Sequence, residues 1–382
     1  MKWPDLLQRQ RPEPDETIRY GDAATQLVDL WLPKGNGPHP TVLMVHGGCW
    51  QTEIADRRIM NWIADDLRKR GIAVWNIDYR GVDRAGGGYP GTFEDVAAAA
   101  DALPRHARQY RLDLSRLVAV GHSAGGHLAL WLAGRIDRGR APFSITLELD
   151  RPGEAEALQR EVGEPLSPIL TALPGQDGVE TQMGAGRWRG TIYFARGVDE
   201  AAAEAAVRAA LPAMRAVLPP GSADPAVRTE SSGIPQTSPL FAAHPVPIMT
   251  VIASGALPDL KLTATPPGTG CGTEVVGSLV GAPTPDRPDV FADTSAAELH
   301  RIRGRQILVN GVEDKIVPIA FAASYRDRRQ EHGEQVRLET IPRTGHVELI
   351  APETTAWRRQ AEIMEQIFRE KPIKVRVRVA KP

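Results

Sequence analysis

A serine set among glycines, in GHSAGGH (121–127), constrains this chain more than any other stretch. The apolar run LVAV precedes it and the helix-forming HLALWLAG follows, so the glycines stand between a buried strand and a helix. Gly121, Ser123 and Gly125 make the pattern G-x-S-x-G. A serine presented on a tight strand-to-helix turn takes strained backbone angles. The residues two before and two after it must then be nearly without side chains, or they collide. The helix that follows points its N-terminus at the hydroxyl, and its free N–H groups can receive a developing oxyanion. The stretch specifies an exposed nucleophile at the carboxyl edge of a sheet.

The rest of the chain supplies such a sheet. Apolar runs predict strands at 26–32, 41–47, 72–78, 116–121, 248–254, 306–311 and 336–341. Several are apolar throughout, as strands buried on both faces are. Amphipathic stretches between them predict helices at 54–70, 92–110, 124–135, 318–332 and 353–369. Pro318 opens one of these and Gly333 follows its end, the expected punctuation. The pattern is α/β, a mostly parallel central sheet covered by helices. With 36 glycines and 32 prolines in 382 residues, many sharp turns are expected.

Residues 141–240 break this rhythm. They read as strand, helix, strand, strand, helix and then a Pro/Ser-rich exit, a self-contained βαββα (ferredoxin-like) unit. The predicted organisation is a core of 1–140 and 241–370, an inserted subdomain of 141–240, and a basic C-terminal tail, 371–382. The tail alternates valine with arginine, so it reads either as a charged edge strand or as a frayed end.

A serine nucleophile needs a base, and the base needs an orienting acid. In this architecture the order is serine, acid, histidine. NGVEDKIVP places Asp314 on the loop leaving strand 306–311, and PRTGHVELI places His346 on the loop leaving strand 336–341. Both lie where open α/β sheets build their sites. Glu313 is the rival acid. His122 and His127 flank the serine itself, and the remaining histidines lie on no such loop, so His346 is the expected base. VHGGCW (45–50) follows strand 41–47, and its Gly-Gly turn frees backbone N–H groups to face the serine. The N–H groups of Gly48, Cys49 and Ala124 are the expected oxyanion hole, with His46 pinning the loop.

Composition narrows the partners. A formal net charge of −1 gives no electrostatic reason to expect nucleic acid. No window is long and apolar enough for a transmembrane helix, and the N-terminus lacks the apolar stretch of a secretory signal. Cys49 and Cys271 are too few for a disulfide scaffold. The expectation is a cytoplasmic protein with two free thiols, although the pair would be free to join in an oxidising compartment. No Cys/His spacing suggests a metal, and no cofactor is expected. The Gly-rich loop 81–96 reads as a capped connection with Thr92 at the N-cap and Asp95 in the first turn. GTGCGTEVVG (268–277) reads as a turn, not a phosphate site. The oligomeric state is not legible.

HGGCW, IDYRG (77–81), GHSAGGH, NGVEDKIVP and TGHVEL together resemble the α/β-hydrolase superfamily. Within it they look like bacterial esterases close to the kynurenine-formamidase and acetyl/feruloyl-esterase branches. The resemblance covers about 20–140 and 245–370. It implies a cofactor-free Ser123–His346–Asp314 triad acting on a small-molecule ester or amide. Residues 141–240 look instead like a porter subdomain of resistance-nodulation-division efflux transporters, here as one copy without membrane helices. Ester hydrolysis through an acyl-enzyme is the expected activity. An aryl formamidase or amidase is the second reading. A hydrolase-fold scaffold with an inserted binding subdomain is the third, against which a complete triad argues.

Overall fold

Where the apolar runs were expected, strands form. The computed structural model describes residues 1–370 apart from 138, 139, 185, 232, 233, 236 and 303. The tail 371–382, expected as an edge strand or a frayed end, lies outside the described residues. In chain order the principal strands are β1 Glu16–Arg19, β2 Leu27–Trp31, β3 His39–Val45, β4 Ala73–Ile77, β5 Leu112–His122, β6 Arg140–Asp150, β7 Gln176–Gly184, β8 Arg187–Ala195, β9 Ala226–Ser231, β10 Thr250–Ser254, β11 Arg305–Gly311 and β12 Gln335–Ile341. The principal helices are α1 Trp3–Leu7, α2 Asn61–Lys69, α3 Gly91–Tyr110, α4 Ala124–Ala133, α5 Glu164–Thr171, α6 Glu200–Val217, α7 Glu274–Val280, α8 Ile319–Glu331 and α9 Thr355–Arg369. By contact the chain divides into two units, Met1–Arg135 with Thr237–Pro382, and Ile136–Gln236.

The first unit is an eight-stranded sheet in the order β1-β2-β4-β3-β5-β10-β11-β12. β2 runs antiparallel to β1 and β4, and the other pairings are parallel. Each residue of β4 and β10 is buried, which accounts for their mostly apolar sequences, AVWNI and TVIAS. Ile63 and Leu67 of α2 join Trp357 and Met364 of α9 in one core cluster with Val42 and Val74 of the sheet. Helix α4 is buried at every position. Its composition is apolar all round, which is what a helix enclosed on all sides requires. Among the described residues no helix is long and apolar enough to cross a membrane.

The second unit is an antiparallel sheet, β9-β6-β8-β7, with helices in the connections. Ile145 and Leu147 of β6, Trp188 and Ile192 of β8, and Val207 and Met214 of α6 belong to its own core. The order is βαββαβ, one strand more than the expected βαββα. The extra strand, β9, pairs with β6 along Ala226–Ser231. Its sequence AVRTES carries little apolar signal and sits in Pro/Ser-rich surroundings, so it reads as part of the exit. The short elements α1 and β1 were likewise not expected.

Candidate active site

The turn between β5 and α4 holds Ser123 at φ 55°, ψ −123°, a left-handed conformation that a residue with a Cβ rarely adopts. The flanking glycines make room for it. A Cβ on Gly121 would lie 2.1 Å from the Gly125 carbonyl oxygen, and one on Gly125 would lie 2.2 Å from that of Val45. The Ser123 N–H donates to the Ser254 carbonyl at 2.8 Å, tying the turn to the end of β10. Ser123 is the N-cap residue of α4, so the first N–H groups of that helix surround it.

Asp314 and His346 meet across the ends of β11 and β12. His346 Nδ1 lies 2.6 Å from Asp314 Oδ2. A carboxylate only accepts, so Nδ1 carries the proton of this bond and Nε2 faces away from the acid. The other oxygen, Asp314 Oδ1, accepts the N–H groups of Ile316 and Val317, each at 2.9 Å. Those bonds fix the carboxylate before it meets the ring. Glu313, the rival acid, is exposed, and its backbone N–H bonds Thr344 instead. Ser123, Asp314 and His346 are each at most 6% exposed, and Ser123 and His346 line one cavity of about 550 Å³. A hydrogen bond between Ser123 and His346 is not formed among the described residues. Such bonds are often long in free enzymes and tighten with substrate.

The loop after β3 is turned by three consecutive left-handed residues, Gly48 at φ 111°, Cys49 at 50° and Trp50 at 57°. Four clamps hold it. His46 Nε2 lies 2.9 Å from Asp78 Oδ1, whose other oxygen accepts from Arg57 at 2.9 Å. The His46 ring stacks on Tyr79, with centroids 4.3 Å apart. Trp50 Nε1–H donates to His127 Nδ1 at 3.2 Å, and His127 Nε2–H donates to the Thr294 carbonyl at 2.7 Å. Finally, Cys49 is bonded to Cys271 in a disulfide. The backbone N–H groups of Gly48, Cys49 and Ala124 form no hydrogen bond among the described residues.

The disulfide corrects the expectation of two free thiols. Its partners lie 222 residues apart, and their Cα atoms are 5.4 Å apart. Thr92 is also corrected. Helix α3 starts at Gly91 with Pro90 at its N-cap, and the Thr92 hydroxyl instead donates to the Arg80 carbonyl and accepts from Gly88 N–H. Asp95 binds the Arg80 guanidinium, so the loop is a braced connection.

Two histidines have roles that sequence reasoning missed. His127 lies four residues after Ser123, one helical turn on, and that spacing was the one available signal of its place beside the loop. Burial pushes its imidazole down to about 4. His122 Nε2–H donates to the His346 carbonyl at 3.1 Å, leaving its buried Nδ1 without a partner. Burial, and after it the charge of His346, hold His122 well below the usual histidine range. Both rings are neutral at pH 7.

Residues 28–145 match the family model described as BD-FAE. A probable isoprenylcysteine alpha-carbonyl methylesterase of Arabidopsis thaliana is 33% identical over 114 residues, which is 30% of this chain and 23% of that protein. A non-reducing polyketide synthase of Aspergillus calidoustus is 35% identical over 131 residues, 31% of this chain and 5% of that protein. The chain thus spans less than a quarter of the length of these curated relatives. Among solved structures, a truncated carbohydrate esterase from gut microbiota aligns with TM-score 0.55 at 14% identity, covering 94% of this chain and 98% of that one. Esterase 2 of Thermogutta terrifontis, phosphonylated by sarin, aligns with TM-score 0.54 at 14% identity, covering 96% of each chain. None of these four is an efflux transporter. The fold is that of the α/β-hydrolases.

Proposed function

We propose that this chain is a serine hydrolase of carboxylic esters. The observation that carries the reading is a single cavity shared by a serine on a strained strand-to-helix turn and a histidine whose Nδ1 lies 2.6 Å from a buried carboxylate. That the named relatives include a methylesterase and two esterases supports the same bond type.

In the proposed reaction His346 Nε2 takes the Ser123 proton as Oγ attacks the ester carbonyl. The charge that builds on the carbonyl oxygen falls to the N–H groups of Gly48, Cys49 and Ala124, where one preorganised donor contributes about 3–4 kcal/mol. The imidazolium then protonates the departing alcohol, and the acyl group remains on Ser123. Water attacks that ester with His346 again accepting the proton, and the acid leaves. Asp314 acts throughout by holding the Nδ1–H tautomer and supporting the imidazolium. Small and medium acyl or aryl esters suit the cavity.

The test is a hydrolysis panel on wild type and Ser123→Ala. It contains p-nitrophenyl acetate, butyrate and octanoate, a feruloyl ester and N-formylkynurenine. The expected result is turnover of short esters by wild type, lowered by on the order of 10⁴-fold or more in the variant. Equal activity in the two proteins would refute the nucleophile. Preference for the formamide would move the bond cleaved from ester to amide.

A further inference from the structure

Beyond the reacting atoms, the cavity carries one cation with no carboxylate set against it. Residues 3–11 contribute Trp3, Leu7 and Arg11 to its wall. The Trp3 ring packs edge-on to both His122 and His346, with centroids 6.4 and 6.3 Å away, so this segment runs outward from the catalytic histidine. Arg11 is held in place from both sides. The carbonyl of Gln10 accepts from Trp62 Nε1–H at 3.1 Å, and that of Pro12 accepts from Asn61 Nδ2–H at 2.9 Å. The guanidinium lies 5.3 Å from the centre of the Trp62 ring. Its Nε is buried without a hydrogen bond, and among the described residues no carboxylate pairs with it. The other ionic groups of the wall are matched. Arg58 is bonded to both oxygens of Asp56, and Glu53 faces Arg84 at 3.7 Å.

We infer that Arg11 selects substrates bearing a carboxylate away from the scissile ester. The inference rests on the ester-hydrolase reading of the same cavity. A guanidinium held over an indole face is restrained in its orientation, and a carboxylate accepts two of its donors in parallel. The apolar surfaces of Trp3 and Leu7 lie along the same N-terminal segment and suit the carbon chain between ester and carboxylate. The substrate class is therefore a monoester of a dicarboxylic acid, or an ester whose leaving alcohol carries the acid. Arg11 acts here as a specificity residue and takes no part in bond breaking.

Two arms separate those sources. On the acyl side, kcat/KM is compared for p-nitrophenyl hydrogen glutarate and adipate against p-nitrophenyl valerate and hexanoate. On the alcohol side, 4-acetoxybenzoate is compared with phenyl acetate. Each rate is divided by that of alkaline hydrolysis of the same ester, to remove intrinsic reactivity. Wild type should favour the carboxylated member by about 10- to 100-fold in one arm, the range that a charge-assisted hydrogen bond supplies. Arg11→Gln should bring that ratio near one, Arg11→Lys should restore part of it, and Arg58→Gln should leave it high. A wild-type ratio of one or less in both arms, or an unchanged ratio in Arg11→Gln, would overturn the inference.

Calorimetric binding keeps this test apart from that of the chemistry. Ser123→Ala should bind monomethyl adipate more tightly than methyl hexanoate, and Ser123→Ala with Arg11→Gln should not. That result with no ester cleaved by wild type would uphold the anion site and sink the esterase. Equal binding of the two esters by Ser123→Ala would sink the anion site.

Discussion

His127 illustrates how far a single buried side chain can set the conditions under which the site survives. Its Nδ1 accepts from Trp50 and its Nε2–H reaches Thr294, so a second proton would set a donor against a donor. The unfolded chain takes that proton near pH 6.5, whereas the folded protein resists it down to about 4. The folded pKa is depressed, so this contribution to stability is complete above pH 6.5 and is lost as pH falls towards 4. The full difference is about 3 kcal/mol, and the shift at His122 has the same sign. Urea midpoints at pH 7, 6, 5 and 4.5 should fall less steeply for His127→Gln than for wild type. Parallel curves would remove the histidine from the account. At this scale the positions of Ser123, Asp314 and His346 on loops that leave strands were legible, because each follows a segment whose pattern announces a strand. The contacts of Arg11, His122 and His127 were not legible. Their roles depend on which surfaces meet, and nothing in local spacing records that Trp62, His346 or Thr294 will be the neighbour.

Loops joined to the carboxyl ends of β3, β5, β11 and β12 carry the proposed chemistry, and the disulfide links two segments that no hydrogen-bond ladder joins among the described residues. Cys49 sits in the proposed oxyanion loop. Cys271 follows Gly270, whose N–H bonds the carbonyl of Ile316 two residues beyond Asp314. Through this path the donors for the oxyanion and the acid's loop share one brace. In the chain-entropy account a closure across 222 residues stabilises by up to about 5 kcal/mol. Dithiothreitol should release two thiols, lower the melting temperature, and reduce kcat by roughly 10- to 100-fold with a smaller change in KM. The paired change Cys49→Ala with Cys271→Ala should match the reduced enzyme and no longer respond to reductant. An unaltered kcat after both thiols are titrated would show that the loop holds its shape without the bond. The strand-and-loop order was readable because the strands buried on both faces are dominated by apolar residues. The disulfide was not, since two cysteines at any separation look alike until the fold sets them side by side. The strands β1 and β9 escaped notice for a simpler reason: ETIR and AVRTES are too polar to stand out from a turn.

Two units with separate apolar cores predict separate cooperativity. Residues 136–236, expressed alone, should unfold in one thermal transition with an enthalpy of about 70 kcal/mol near 60 °C, as a chain of that length does. A broad, non-cooperative melt would mean that the segment needs the rest of the molecule. The βαββαβ order of the second unit differed from the expected βαββα by its last strand. The chain order has a further consequence for the molecule under proteolysis. Ser123 precedes the 136–236 unit, Asp314 and His346 follow it, and Cys49 and Cys271 lie on either side. A single nick within 136–236 would deal the proposed nucleophile to one fragment and its proposed acid and base to the other. The sulfur bridge keeps those fragments one covalent molecule, which migrates intact on a gel until reductant parts it in two.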